Sequence, residues 1–279
     1  MGKRKLFCEI SPMAYRLSTE KEILKRHISD LLHRVQFAQL QIEGNLSQPV
    51  CKHQSLIRRR LGNVDMQLQE NKAVNLSLAV KHLDGIVIMP KETFSLWKLV
   101  GRTTARKGYR EGMTITHGKP ARGIGGGLCQ LSNLIHWMVL HSDLTIVEHH
   151  HHDQLDLFPD FGRQIPFGTG TSISYNYIDY RVKNNTQNIY QLHVRVEGEY
   201  LCGELYSIKP QPHSYHIHAE NEHFTREGDV VYRNGTVIRD KFDKKTGNLL
   251  SREVIRTNHA RVMYDTSNLT ITECTESPV

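Results

Sequence analysis

The chain has 279 residues, 38% hydrophobic and 23% charged, with 36 Lys and Arg against 29 Asp and Glu for a formal net charge of +7. That is too apolar for a wholly disordered chain, and 20 Gly and 9 Pro exclude a collagen-like or low-complexity architecture. No apolar run approaches the roughly 18 residues of a membrane-spanning helix.

The N-terminus is basic at Lys3, Arg4 and Lys5 but leads into no apolar secretory core, and Leu6 stands where a myristoylation signal needs Ser or Thr. The reading is a cytoplasmic protein with an irregular arm over 1–16. An amphipathic helix is predicted over 18–41. Ser18 or Thr19 caps it, Glu20 and Glu22 sit in its first turn, and Leu24, Ile28, Leu31, Leu32 and Val35 make the apolar stripe. Residues 43–66 read as loop. A second helix follows over 69–83, ended by Asp84 and Gly85, then a buried strand over 86–89 before Pro90.

The glycine-rich, basic segment 101–127 reads as an extended loop over a site. Helical spacing returns over 128–140 through Leu131, Leu134, Ile135, Met138 and Val139. A strand over 144–147 runs into Glu148 and four consecutive histidines, His149 to His152. Beyond residue 165 the pattern is β, with strands over 172–178, 180–182 and 189–196. Asn234 and Gly235 signal a hairpin turn, and a polar frayed tail follows from 266. The fold class read from this order is α+β: N-terminal helices, then a cysteine-bearing helix packed on an antiparallel β-sheet, in a papain-like order of elements. The division is a helical region 1–66, a core domain 67–200, a β-rich extension 201–265 and a flexible tail 266–279.

Five cysteines, Cys8, Cys51, Cys129, Cys202 and Cys274, are odd in number and widely spaced, which makes neither a disulfide framework nor a structural zinc site. Cys129 is the informative one. It follows Gly125, Gly126, Gly127 and Leu128 at a predicted helix start and precedes Gln130, Leu131 and Ser132. Glycines let a backbone approach a ligand closely, and free amides at a helix start bind anions. The helix dipole lowers a thiol's pKa there. Gln130 or the Cys129 amide would meet an oxyanion. A bland reading competes: a structural glycine turn with Cys129 as packing filler. A phosphate loop is a third reading, without the Gly-Lys-Ser/Thr ending it needs.

On a strand, His150 and His152 would face one way and His149 and His151 the other. A thiol at a helix start followed by an imidazole on the next strand is the order of papain-like enzymes, with Asp179 or Asn176 as the group orienting the ring. A metal site built with Glu148, Asp153 or Cys129, and a plain solvated strand end, are the competing readings. Of His213, His216 and His218, the last two can share a side, though surface placement is the simpler reading. Cys202, Trp97 and Trp137 read as core. Basic residues cluster only at 3–5 and at Arg58, Arg59 and Arg60, with no nucleic-acid motif, so nucleic acid is not read as a partner.

Glu92, Thr93, Phe94, Ser95, Leu96 and Trp97, then Gly112, the run from Gly125 to Ser132, Glu148 with His150 and His152, Ile178 with Asp179, and Lys183 to Thr186 together resemble the VanW family. That family takes its name from an accessory protein of a vancomycin-resistance gene cluster. The resemblance covers roughly 70–200. It implies a link to cell-wall biology or glycopeptide resistance and no established reaction. It puts Gly125, Gly126, Gly127, Cys129, Gln130, His150, His152 and Asp179 on the family's motif positions. Lys91 replaces a common glycine and Gly170 a common Asp. Two functions follow as expectations. One is a cysteine enzyme for acyl transfer or amide hydrolysis on a peptide-like substrate, with Cys129 as nucleophile, His152 or His150 as base, Asp179 as orienter and Gln130 at the oxyanion; Gly125, Gly126, Gly127 and Ser132 would bind substrate. The other is a non-catalytic module for a small anion, muropeptide or protein partner. Neither calls for a cofactor or a bound metal.

Overall fold

A computed structural model describes residues 6–58, 65–116, 119–151, 155–157, 159–160 and 165–273. It has mixed α+β architecture, with few helices and several sheets that are mainly antiparallel. His152, Asp153 and Cys274 lie outside the described residues.

Helix α1 (Pro12–Leu32) begins earlier than predicted. Ser11 accepts a hydrogen bond from the Ala14 amide at 3.1 Å and Pro12 takes the first helical position, so a proline start preceded by a serine cap outweighs the acidic turn at Glu20 and Glu22. It also ends earlier. The amide of Arg34 bonds to Leu31 O and that of Val35 to Asp30 O, which closes the helix. The next residues run extended beside the core, with Ala38 N on Thr93 O and Val87 N on Leu40 O. The apolar stripe that predicts the helix does not face the body of the protein. Leu24, Ile28, Leu31 and Leu32 are exposed, while Ile23, Arg26, His27 and Asp30 carry the contacts inward.

The predicted loop over 43–66 contains strand β1 (Gln48–Leu56). It forms one edge of a four-stranded antiparallel sheet with β10 (Tyr200–Ser207), β9 (Tyr190–Glu197) and β2 (Ile86–Ile88) in the order β1-β10-β9-β2. An edge strand with a register shift after Pro49 tolerates the proline that hid it. Helix α2 (Met66–Val80), capped by Asp65, packs near this sheet. Helix α4 (Cys129–Leu140) lies over β10, where a Cβ on Gly203 would meet Met138 and Leu134. The main core joins Leu76, Leu83, Phe94, Leu131, Ile135 and Leu205.

Strands β3 (Thr93–Ser95), β8 (Arg181–Lys183) and β6 (Thr145–Glu148) form a second sheet in the order β3-β8-β6, with the short helix α3 (Leu96–Val100) following β3. Segment 101–127 contains a two-stranded ribbon, β4 (Glu111–Thr116) and β5 (Lys119–Ile124), in place of the continuous loop read from its glycines. Residues 172–178 make a single bridge, Ser174 to Ile178, around Asn176 at φ +50°, so their alternation marks a tight turn and not a strand.

The last sheet has the order β14-β11-β12-β13-β7, from β11 (His213–Glu227), β12 (Val230–Asp243), β13 (Leu249–Val262), β7 (Leu155–Asp156) and β14 (Ile271–Glu273). Asn234 and Gly235 lie in the middle of β12. Gly235 faces Glu222 beside an irregularity in β11, so that glycine serves close approach and not a turn. The tail from 266 contributes β14, parallel to β11 at Phe224 and Ile271. Cys202 is half-exposed beside Gln54 and is not core.

Candidate functional site

The glycine run before α4 is used for packing. Gly125 and Gly127 have positive φ, at +79° and +93°. A Cβ on Gly126 would overlap the Gly112 backbone, and one on Gly127 would overlap the Lys72 side chain. The buried Asn75 side chain ties the run down, donating to Arg110 O at 3.0 Å and Gly126 O at 2.9 Å and accepting from Arg110 N at 2.7 Å. These glycines let the protein approach itself.

Cys129 opens α4 and is half-buried. Burial pushes its thiol pKa up, while the main-chain amides of Ile173 and of Cys129 itself pull it the other way. Desolvation outweighs the helix-start effect. Gln130 turns toward β1, donating to Ser55 Oγ at 2.9 Å and Leu56 O at 3.0 Å. Ser132 is fully buried, its hydroxyl close against Thr171 Oγ1 and 3.0 Å from Cys129 O. Asn133 Oδ1 accepts from the Thr171 amide at 2.6 Å and its hydroxyl at 2.8 Å. Cys129, Ser132, Asn133 and His136 thus form one polar face of α4, and the first three of them meet Thr171 and Ile173. The spacing of these four residues is that of one helix face.

The histidine segment closes on the same face. His149 stacks on His136 with ring centroids 4.1 Å apart and meets His151 edge to face at 4.1 Å. His149 Nε2 lies 3.3 Å and His151 Nδ1 3.1 Å from Gly170 O, so each places a ring N–H on that carbonyl. Burial, then neighbouring imidazoles, lower His149 to about 3 and hold His136 well below the ordinary histidine value. These two rings are neutral at physiological pH. His136 Nδ1 pairs with Tyr180 OH at 3.1 Å, and its Nε2 is buried with no hydrogen-bond partner among the described residues. His150 points elsewhere, to Glu148 Oε1 at 3.1 Å. The alternation read from the sequence is present, but His149 and His151 face the helix, not His150.

Asp179 belongs to a different network. It is fully buried and accepts from Ser95 Oγ, Trp97 N at 3.1 Å, Tyr180 N at 2.8 Å and Arg181 Nε at 2.9 Å. Burial raises its pKa against the pull of Ser95 and Arg181. Arg181 continues to Asp30 at 2.6 and 3.0 Å, and Glu148 takes Arg26 at 2.8 Å and the Asp179 amide at 2.9 Å. Asn176 pairs with His27 at 3.2 Å. These groups fasten α1 to the body, and none of these hydrogen bonds reaches Cys129. His136, Asn133, Gly170 and Thr171 are site residues that the sequence reading passed over. The signal for the first two was a polar stripe on an apolar helix.

His216, His218 and Asp240 have donor atoms within 4.8 Å of one another on β11 and β12. Arg252 already grips Asp240 through 2.8 and 2.9 Å bonds, so a cation there would have to displace a guanidinium. A cleft of about 450 Å³ opens on the outer face of the four-stranded sheet beside Lys52, His53, Gln54, Arg195 and Cys202. Among the described residues no helix is long and apolar enough to cross a membrane.

Comparison with known proteins adds the relationship. The profile of a family described as VanW like protein matches residues 71–206. Vancomycin B-type resistance protein VanW of Enterococcus faecalis is 35% identical over 200 residues, which cover 72% of this chain and 72% of that protein. An uncharacterized protein of Bacillus subtilis, YoaR, is 30% identical over 138 residues, half of this chain and 44% of its own length, so the chain spans less than half of that relative. No solved structure matches.

Proposed function

The chain belongs to the VanW family, and from that premise we propose that it acts in glycopeptide resistance as a binding module for a peptide-like cell-wall ligand, held at the polar face of α4. The observation that carries this reading is His136, a neutral, fully buried imidazole whose Nε2 has no partner among the described residues. An unpaired buried polar nitrogen is costly, and a ligand amide or carbonyl would satisfy it. Ser132, Asn133 and Thr171, bonded to one another, hold that face rigid around the imidazole.

A second reading keeps Cys129 as the nucleophile of an acyl transfer or amide hydrolysis, with an imidazole from 149–152 as base, Gln130 at the oxyanion and the papain-like order of elements. It is favoured by the place of Cys129 in the first turn of α4, with two main-chain amides directed at its sulfur. The raised thiol and the engagement of Asp179 and Gln130 elsewhere weigh toward binding.

Calorimetric titration with a short stem peptide ending in D-Ala-D-Ala tests the choice. Binding that survives Cys129→Ser and falls at least about tenfold in His136→Gln supports the module. Release of a C-terminal residue by the wild type, abolished in Cys129→Ser, establishes the enzyme instead. No saturable binding and no turnover would reject both. A boundary after Ser207, which keeps β10 with its sheet, is the division we propose for the binding domain.

A further inference from the structure

A second site lies away from the polar face of α4. A cleft of about 440 Å³ opens where the end of α1 meets the β3-β8-β6 sheet, lined among others by His33, Arg34, Lys91, Glu148, Arg181 and Lys183. That volume is in the range of small-ligand pockets. Its charges do not cancel. Glu148 is taken by Arg26, and Arg181 is held by Asp30 and Asp179. Arg34, Lys91 and Lys183 make no ion pair with the described residues, which leaves three uncompensated cations on one cavity.

Two of the three stand where the backbone asks for glycine. Four non-glycine residues among those described have clearly left-handed φ. Two are Asn176 and Asn221, the residue type that tolerates this conformation best after glycine. The other two are Arg34 at φ +48° and Lys91 at φ +74°, and both line this cleft. Arg34 closes α1 at the position where such motifs place glycine, its amide on Leu31 O and that of Val35 on Asp30 O. Lys91 follows Pro90 in a turn closed by Glu92 N on Met89 O, again the glycine position. A backbone held in a disfavoured state by its surroundings is a reason to look for a role in the side chain.

We propose that this cleft binds a small phosphorylated ligand, of the phosphate monoester or diphosphate class, through Arg34, Lys91 and Lys183, with the fixed guanidinium of Arg181 lining the same cavity. Arginine grips phosphate oxygens by a planar fork and lysine by a point charge. The proposal is independent of the α4 reading, because none of the α4 face residues takes part.

The test uses the full chain in about 0.15 M salt, where loose surface attraction is screened. Inorganic pyrophosphate, inorganic phosphate and acetate are titrated calorimetrically. Saturable binding of pyrophosphate, with phosphate weaker and acetate silent, is expected. Arg34→Gly and Lys91→Gly remove a cation and relieve the backbone together, so melting temperature should hold or rise while pyrophosphate affinity falls about tenfold in each. Lys183→Met, in strand β8, gives the same loss by a route that leaves both turns untouched, and it decides the matter should a glycine variant prove unstable. Absence of saturable pyrophosphate binding, or wild-type affinity in all three variants, would overturn the proposal. Equal affinity for pyrophosphate and acetate would also overturn it, as the mark of unspecific charge.

Discussion

The histidines of the candidate site act through burial more than through charge. His149 sits near 3 and His136 well below its ordinary value, because their rings are desolvated against each other and against α4. Unfolding lets them return to about 6.5, so below that value the unfolded chain binds more protons than the folded one, for His149 down to about 3. Stability from these rings is fully present above pH 6.5 and is lost as pH falls below it, by up to about 1.4 kcal/mol per pH unit for His149, with His136 adding in the same direction. Denaturant midpoints at pH 7.5 and 5.5 should differ accordingly, and His149→Phe should flatten the difference. Equal midpoints in the parent chain at the two pH values would show that the rings are not buried in neutral form.

Between elements, the decisive contacts are the ion pairs that hold α1. Arg181 is buried and bridges Asp30 of α1 to Asp179, while Arg26 of α1 reaches Glu148 at the end of β6. Removing one member of a buried pair leaves an uncompensated charge and costs about 3–5 kcal/mol. Arg181→Met should therefore destabilise strongly, and limited proteolysis should cut α1 first. Arg102→Ala, which breaks the exposed pair with Glu20, should stay within about 1 kcal/mol. Similar losses in the two variants would mean that the clamp does not hold α1. These long-range pairs join residues more than a hundred positions apart, and for that reason the helix was legible in the sequence while its orientation was not. Its apolar periodicity marks a helix, but the stripe of Leu24, Ile28, Leu31 and Leu32 stays exposed and the charged side docks.

Across the whole molecule, what could be read locally was read well. Helix α4, strand β2 and strand β9 stand close to where hydropathy placed them. The motif run from Gly125 to Ser132 led to a family that the relatives then showed. The failures share one cause, namely tertiary context overriding local chemistry. Asn234 and Gly235 spell a turn, yet they lie mid-strand opposite Glu222. Pro49 hides an edge strand. The glycines before Cys129 look like a cradle for a ligand, yet their missing Cβ atoms are needed against Gly112 and Lys72. The same holds at the site. Periodicity predicted that neighbouring histidines alternate, but that His149 and His151 turn inward depends on the Gly170 carbonyl, some twenty positions further on.

Burial of Cys129 and of its histidine neighbours favours a protonated thiol among neutral imidazoles on the polar face of α4 over an ion-paired thiolate. With the other four cysteines changed to serine, the rate of Cys129 alkylation by iodoacetamide can be followed from pH 5 to 10. The expected rate is low at neutral pH and still climbing beyond pH 9, the ordinary thiol value above which burial moves this group. A high, flat rate reaching down to pH 6, abolished by His150→Ala or His152→Ala, would contradict it and return Cys129 to the role of nucleophile.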